Sequence, residues 1–80
     1  MPTTLQLALR RTLIKAIVRQ IEPWGKSQAD MAKKLGITQP RLNLLINGRA
    51  QVFSLDALAA VAAKAGLSVR VSAVRKYLRA

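Results

Sequence analysis

Cysteine and histidine are both absent from this chain, and only three of its residues are acidic. Without cysteine there is no disulfide framework and no thiolate to serve as nucleophile or metal ligand. Without histidine the side chain that most often carries protons near neutral pH is missing. Glu22, Asp30 and Asp56 stand far apart in sequence, so they do not read as a paired general acid and base. A Ser-His-Asp triad and a metal site also lack parts. No enzymatic activity, metal or cofactor is therefore expected. Long apolar runs are missing too. The Ala-rich stretch 57–63 falls well short of the ~20 residues that cross a bilayer, so no membrane partner is expected. Arg10, Arg11 and Lys15 interrupt the apolar N-terminal stretch, which does not read as a secretion signal, so a cytoplasmic location is the expectation.

What the chain has in excess is positive charge. Fourteen Lys and Arg residues face the three acids, giving a net charge of +11 on 80 residues. Solubility alone asks for about 2–8 charges on a small domain. The surplus points to a polyanionic partner, nucleic acid before any other. Eighty residues make one domain. A chain this short buries only about 60–65% of its unfolded surface, so oligomerisation is a natural remedy. The apolar fraction of 51% leaves material for an interface.

Residues 27–49, SQADMAKKLGITQPRLNLLINGR, read as two short helices joined by a tight turn. Ser27 opens a capping-box-like Ser27-Gln28-Ala29-Asp30, with Asp in place of Glu. Ala29, Met31, Ala32 and Leu35 supply the first helix with an apolar side. Gly36 falls where a chain leaving a helix needs a left-handed residue. Ile37 makes the corner. Thr38 caps a second helix whose early Pro40 forgoes an N–H that would have had no partner. Leu42, Leu45 and Ile46 continue it, and Asn47-Gly48 closes it. Two helices separated by a turn of this length form a helix-turn-helix, whose second helix enters the major groove of DNA.

The stretch resembles the XRE family, the lambda-repressor/Cro-like helix-turn-helix proteins. Gln28, Ala32, Gly36-Ile37-Thr38-Gln39, Leu42, Leu45 and Asn47-Gly48 carry the resemblance. Phe53-Ser54-Leu55-Asp56-Ala57-Leu58 and Ala65-Gly66-Leu67-Ser68-Val69 resemble the small subgroup found among HigA-type antitoxins. The resemblance spans roughly residues 7–72. It implies an all-α, lambda-repressor-like bundle of four to five helices. It also implies base contacts from Gln39 and the residues after it, and a phosphate contact from Gln28.

The flanking segments complete the expected fold. Apolar residues at helical spacing predict a first helix over 4–22. One stripe is Leu5, Leu9, Leu13, Ala16 and Ile17, and a second is Leu7, Ile14, Val18 and Ile21. Together they span roughly 220° of the helix, about twice what a surface helix of a small domain needs. Arg10 falls inside this arc and has to snorkel or find a partner. Arg11, Lys15, Arg19 and Glu22 fill the polar remainder. Pro23-Trp24-Gly25 ends the helix, with Trp24 expected to plug the end of the core. Phe53, Ser54 and Leu58 have the spacing of a hydrophobic staple and predict a helix over 55–65, with Leu55, Leu58, Ala59, Ala62 and Ala63 available to the core. Residues 67–73 alternate apolar and polar, the period of a half-buried strand. The chain thus divides into a helical unit over 1–66 and a C-terminal strand and basic tail over 67–80, expected to contact a dimer mate or another partner.

On this reading Gln39, Pro40, Arg41, Asn43 and Leu44 face the bases. Gln suits adenine and Arg suits guanine, while Pro40 and Leu44 suit a thymine methyl. Pro40 departs from the polar residue common in phage repressors and removes one direct hydrogen bond. Lys26, Gln28, Lys33, Thr38, Asn47 and Arg49 hold phosphates. Leu7, Ile14 and Val18 on the first helix, with Val69 and Val71 on the strand, form a dimer or partner interface. The expected function is a sequence-specific transcriptional regulator, a homodimer on a palindromic operator. The HigA-type resemblance adds the role of an antitoxin that neutralises a RelE/HigB-like ribonuclease toxin and represses its own operon. The alternative is a protein-interaction module that keeps the helix-turn-helix shape without binding DNA.

Overall fold

The computed structural model describes residues 4–68, and its architecture is all-helical over that span. Helix α1 (Thr4–Ile21) is followed by a single 3₁₀ turn over Glu22–Trp24, then α2 (Gln28–Leu35), α3 (Gln39–Ile46), a second 3₁₀ turn over Ala50–Val52, and α4 (Leu55–Lys64). Four α-helices fall within the expected range. No strand occurs among the described residues. The strand expected over 67–73 lies outside them except for Leu67 and Ser68, which are neither helix nor strand.

Local chemistry accounts for each boundary. α1 stops one residue short of the expected 22 because Pro23 has no N–H to continue the α-helical ladder, and the chain tightens into the 3₁₀ turn. Ser27 caps α2, its hydroxyl accepting from the Asp30 N–H at 3.2 Å. Thr38 caps α3 by accepting from the Arg41 N–H at 3.3 Å, and Ser54 caps α4 by accepting from the Ala57 N–H at 3.0 Å. At the end of α2, Gly36 is left-handed, with φ of 73°. Its N–H donates to the Lys33 carbonyl at 3.2 Å, and the Ile37 N–H reaches back to the Ala32 carbonyl at 3.0 Å. This is a Schellman termination, which turns the chain and satisfies carbonyls that the helix leaves open.

The core is assembled from every helix. Ile14, Ile17 and Ile21 of α1 meet Ala32 and Leu35 of α2, Leu42 and Leu45 of α3, Ala50 and Phe53 of the connection, and Leu58, Val61, Ala62 and Ala65 at the C-terminal end. Burying each large side chain contributes ~1.5–3 kcal/mol. α1 packs most extensively on α4, so these two helices form the platform that holds the α2–α3 pair. Phe53 and Leu58 are both buried on either side of the Ser54 cap, as the staple spacing requires. Trp24 is half-buried against the core, and Ile37 likewise.

Two details of the expected core are corrected. On α4 the buried stripe is Leu58, Val61 and Ala62, continued by Ala65; Ala63 is exposed, and Leu55 and Ala59 are only half-buried. The spacing of four, seven and eight residues after Ser54 sets this face, and Ala63 falls off it. On α2, Ala29 is exposed.

On α1 both apolar stripes enter the core toward the C-terminal end. Ile14, with Ile17 and Ile21, is buried in the core, at 4% exposure, so the fold itself fills the site assigned to a partner. Leu7 and Val18 are half-buried, and Val18 packs on the core. The exposed leucines are the N-terminal members of the first stripe, Leu5 at 68% and Leu9 at 46%, whereas its C-terminal member Ile17 is fully buried. Periodicity marks both stripes as apolar and cannot say how far along them the rest of the chain will reach.

Candidate nucleic-acid interface

The α2–α3 pair presents α3 with its inner side anchored and its outer side free. Leu42 and Leu45 are fully buried. Helical geometry turns Pro40, Asn43 and Asn47 to the opposite side, with Gln39 and Leu44 beside them. Gln39, Pro40, Asn43 and Asn47 are exposed, whereas Leu44 is half-buried and packs partly on the core. The Asn47 side-chain N–H donates to Asn43 Oδ1 at 2.9 Å, so these two amides are held together along the outer face.

Arg41 takes a different position. Its guanidinium carbon sits 4.7 Å from the centre of the Phe53 ring, and the residue is exposed. The ring comes from the connection after α3, so the chain beyond the helix-turn-helix fixes where this arginine starts. A shallow, largely apolar groove of about 270 Å³ adjoins it, lined by Leu35, Ile37, Phe53, Ala57, Val61 and Lys64 among others.

The expected phosphate ligands Lys26, Gln28, Lys33, Thr38, Asn47 and Arg49 are all exposed. Thr38 uses an oxygen lone pair for its cap, which leaves its O–H proton free to donate to a phosphate. Gln28 opens α2, where backbone N–H groups add to the positive end of the helix dipole. On the same helix Lys34 lies over the Trp24 ring at 4.6 Å, while Lys33 stands on the exposed surface.

The fold adds three cations from the polar side of the first helix. Arg11, Lys15 and Arg19 follow one another at four-residue spacing on α1. Lys15 and Arg19 share a groove of about 450 Å³ with Ile46, Asn47 and Gly48 at the end of α3. Arg11 lines a neighbouring groove with Gly48, Arg49 and Gln51. Lys26 joins Val18, Met31 and Ile46 in a third. Gly48, Arg49 and Asn47 are thus bordered by a row of cations from a distant part of the chain. No ion pair joins these cations to an acid among the described residues. The signal was present in the spacing of residues 11, 15 and 19; their place beside α3 came only with the fold.

A family model described as a helix-turn-helix domain matches residues 1–74. The chain belongs to the helix-turn-helix domain family. No curated protein and no solved structure matches it. In helix-turn-helix domains generally the second helix is the one that enters the major groove; here cations of α1 border the C-terminal end of α3. Val69 and Val71 lie outside the described residues. Among the described residues no group of three or more His, Cys, Asp or Glu side chains could hold a metal ion, and no helix is long and apolar enough to cross a membrane.

Proposed function

We propose that this protein is a sequence-specific DNA-binding transcriptional regulator that reads the major groove with α3 and grips the backbone with cations from α1, α2 and the Gly48–Arg49 turn. The observation that carries this reading is the juxtaposition of Lys15 and Arg19 with Asn47 and Gly48 beside the exposed face of α3. Gln39, Arg41 and Asn43 supply amide and guanidinium groups suited to base edges, with Pro40 and Leu44 offering apolar contact to a thymine methyl. Lys26, Gln28, Lys33, Thr38, Asn47 and Arg49 complete the backbone contacts.

The regulator works as a homodimer on a palindromic operator, since each α3 reads only one half-site. The HigA-type pattern in 53–58 and 65–69 supports a finer role in the cytoplasm: an antitoxin that neutralises a RelE/HigB-like ribonuclease and represses its own operon. Titrating duplex binding against salt tests the central reading. A log–log slope near −0.9 per neutralised phosphate is expected, and a flat response removes DNA from the account. A flat response would favour the alternative, an interaction module without DNA, whose specific support is the exposure of Leu5 and Leu9. Co-production with a ribonuclease encoded by the neighbouring gene tests the antitoxin role: growth rescue supports it, and continued toxicity refutes it.

A further inference from the structure

We infer that the outer face of α1 is a docking surface for an acidic amphipathic helix of another protein. Leu13, Leu9 and Leu5 form a row that leaves the core: Leu13 is half-buried against it, Leu9 is 46% exposed and Leu5 is 68% exposed. Thr12 and Ala16 lie beside this row. Leu5, Leu9, Thr12 and Ala16 are spaced four, three and four residues apart, the alternation of a seam that receives a second helix. Thr12 does not make the seam polar, because its hydroxyl donates to the Ala8 carbonyl on its own helix at 2.9 Å.

Charge decides the occupant. α1 contains no acidic residue from Thr4 to Ile21. Arg10 lies one turn before Leu13 on the core side of the row, with its Nε buried. Lys15 and Arg19 border Ala16 at the other end of the seam, a single residue before it and one turn after it. A second copy of α1 would bring cations against cations with no acid to offset them, and this repulsion disfavours self-pairing. A helix with leucines along one side and glutamates beside them matches both the apolar seam and its Lys15–Arg19 flank. Leu5, Leu9 and Thr12 line none of the grooves shared with α3, whereas Lys15 and Arg19 border both surfaces, so the two leucines carry the test independently of DNA binding.

The test uses the full chain and a synthetic amphipathic peptide of about five helical turns, with leucines at the seam spacing and flanking glutamates. Its scrambled counterpart keeps the composition and loses the pattern. The patterned peptide should bind the wild type about tenfold or more tightly than it binds Leu5→Ser/Leu9→Ser. Both leucines are exposed, so the variant should fold and keep its affinity for DNA. Equal binding of the scrambled peptide, or indifference to the double substitution, overturns the proposal by reducing it to general attraction between opposite charges. Sedimentation supplies the other decision. A wild-type dimer that becomes a monomer on Leu5→Ser/Leu9→Ser would assign the seam to a second copy and overturn it as well.

Discussion

Asn47 donates a side-chain hydrogen bond to Asn43 Oδ1 across one turn of α3, at 2.9 Å. Each amide restrains the other, so part of the ordering cost of a base contact is met before DNA arrives. Asn43→Ala removes a candidate base contact and releases Asn47 together. Specific binding should weaken by ~1–3 kcal/mol with relaxed preference at one base pair per half-site, while affinity for random duplex changes little. Selection from random DNA checks this; an unchanged motif would show that Asn43 does not read a base.

Arg41 over Phe53 gives a prediction that can be read without DNA. An exposed cation–π contact contributes about 0.5–1 kcal/mol. A double-mutant cycle of Arg41→Ala with Phe53→Leu, followed by urea denaturation, should return a coupling of that size. Additive losses would mean that the ring does not hold the arginine. On DNA, Arg41→Ala should cost roughly 1–3 kcal/mol and broaden the choice at one base pair.

The cationic row on α1 should behave as backbone ligands. Lys15→Ala/Arg19→Ala is expected to lower the magnitude of the salt slope by about two phosphates' worth, near 0.9 each, and to weaken all sequences alike. Lys33→Ala should act in the same sequence-blind way with about half the change in slope. A double variant that keeps the wild-type slope would separate α1 from the DNA surface.

What could be read from the sequence was local. Ser27, Gly36, Thr38 and the Phe53–Leu58 staple each announce a helix end through chemistry confined to a few neighbouring residues, and those boundaries appear where the residues put them. What could not be read was the side from which the rest of the chain arrives. Leu5 and Leu9 are as apolar as Ile14 and Ile17, and only the docking of α4 and the helix-turn-helix buries one pair and leaves the other exposed. The same holds at the candidate site. Arg11, Lys15 and Arg19 form a row by spacing alone, but the grooves they share with Gly48 are made by distant segments of the chain. Arg41 likewise depends on a ring that belongs to the next connection.

The turn between α2 and α3 supplies the last prediction. Gly36 has φ of 73°, and a Cβ built there meets nothing within 4 Å. Substitution therefore tests backbone conformation alone, with no steric clash added. Gly36→Ala should destabilise the fold by about 1–2 kcal/mol, the cost of placing an L side chain in the left-handed region. Gly36→Asn should cost less, because Asn tolerates that region through local hydrogen bonding. Since the turn sets the angle between α2 and α3 through the Ile37 N–H to Ala32 bond, both variants should retain the wild-type DNA motif once folded. Urea midpoints at constant slope would measure the first effect and selection on random DNA the second. Equal losses for Ala and Asn would locate the cost somewhere other than the backbone angle.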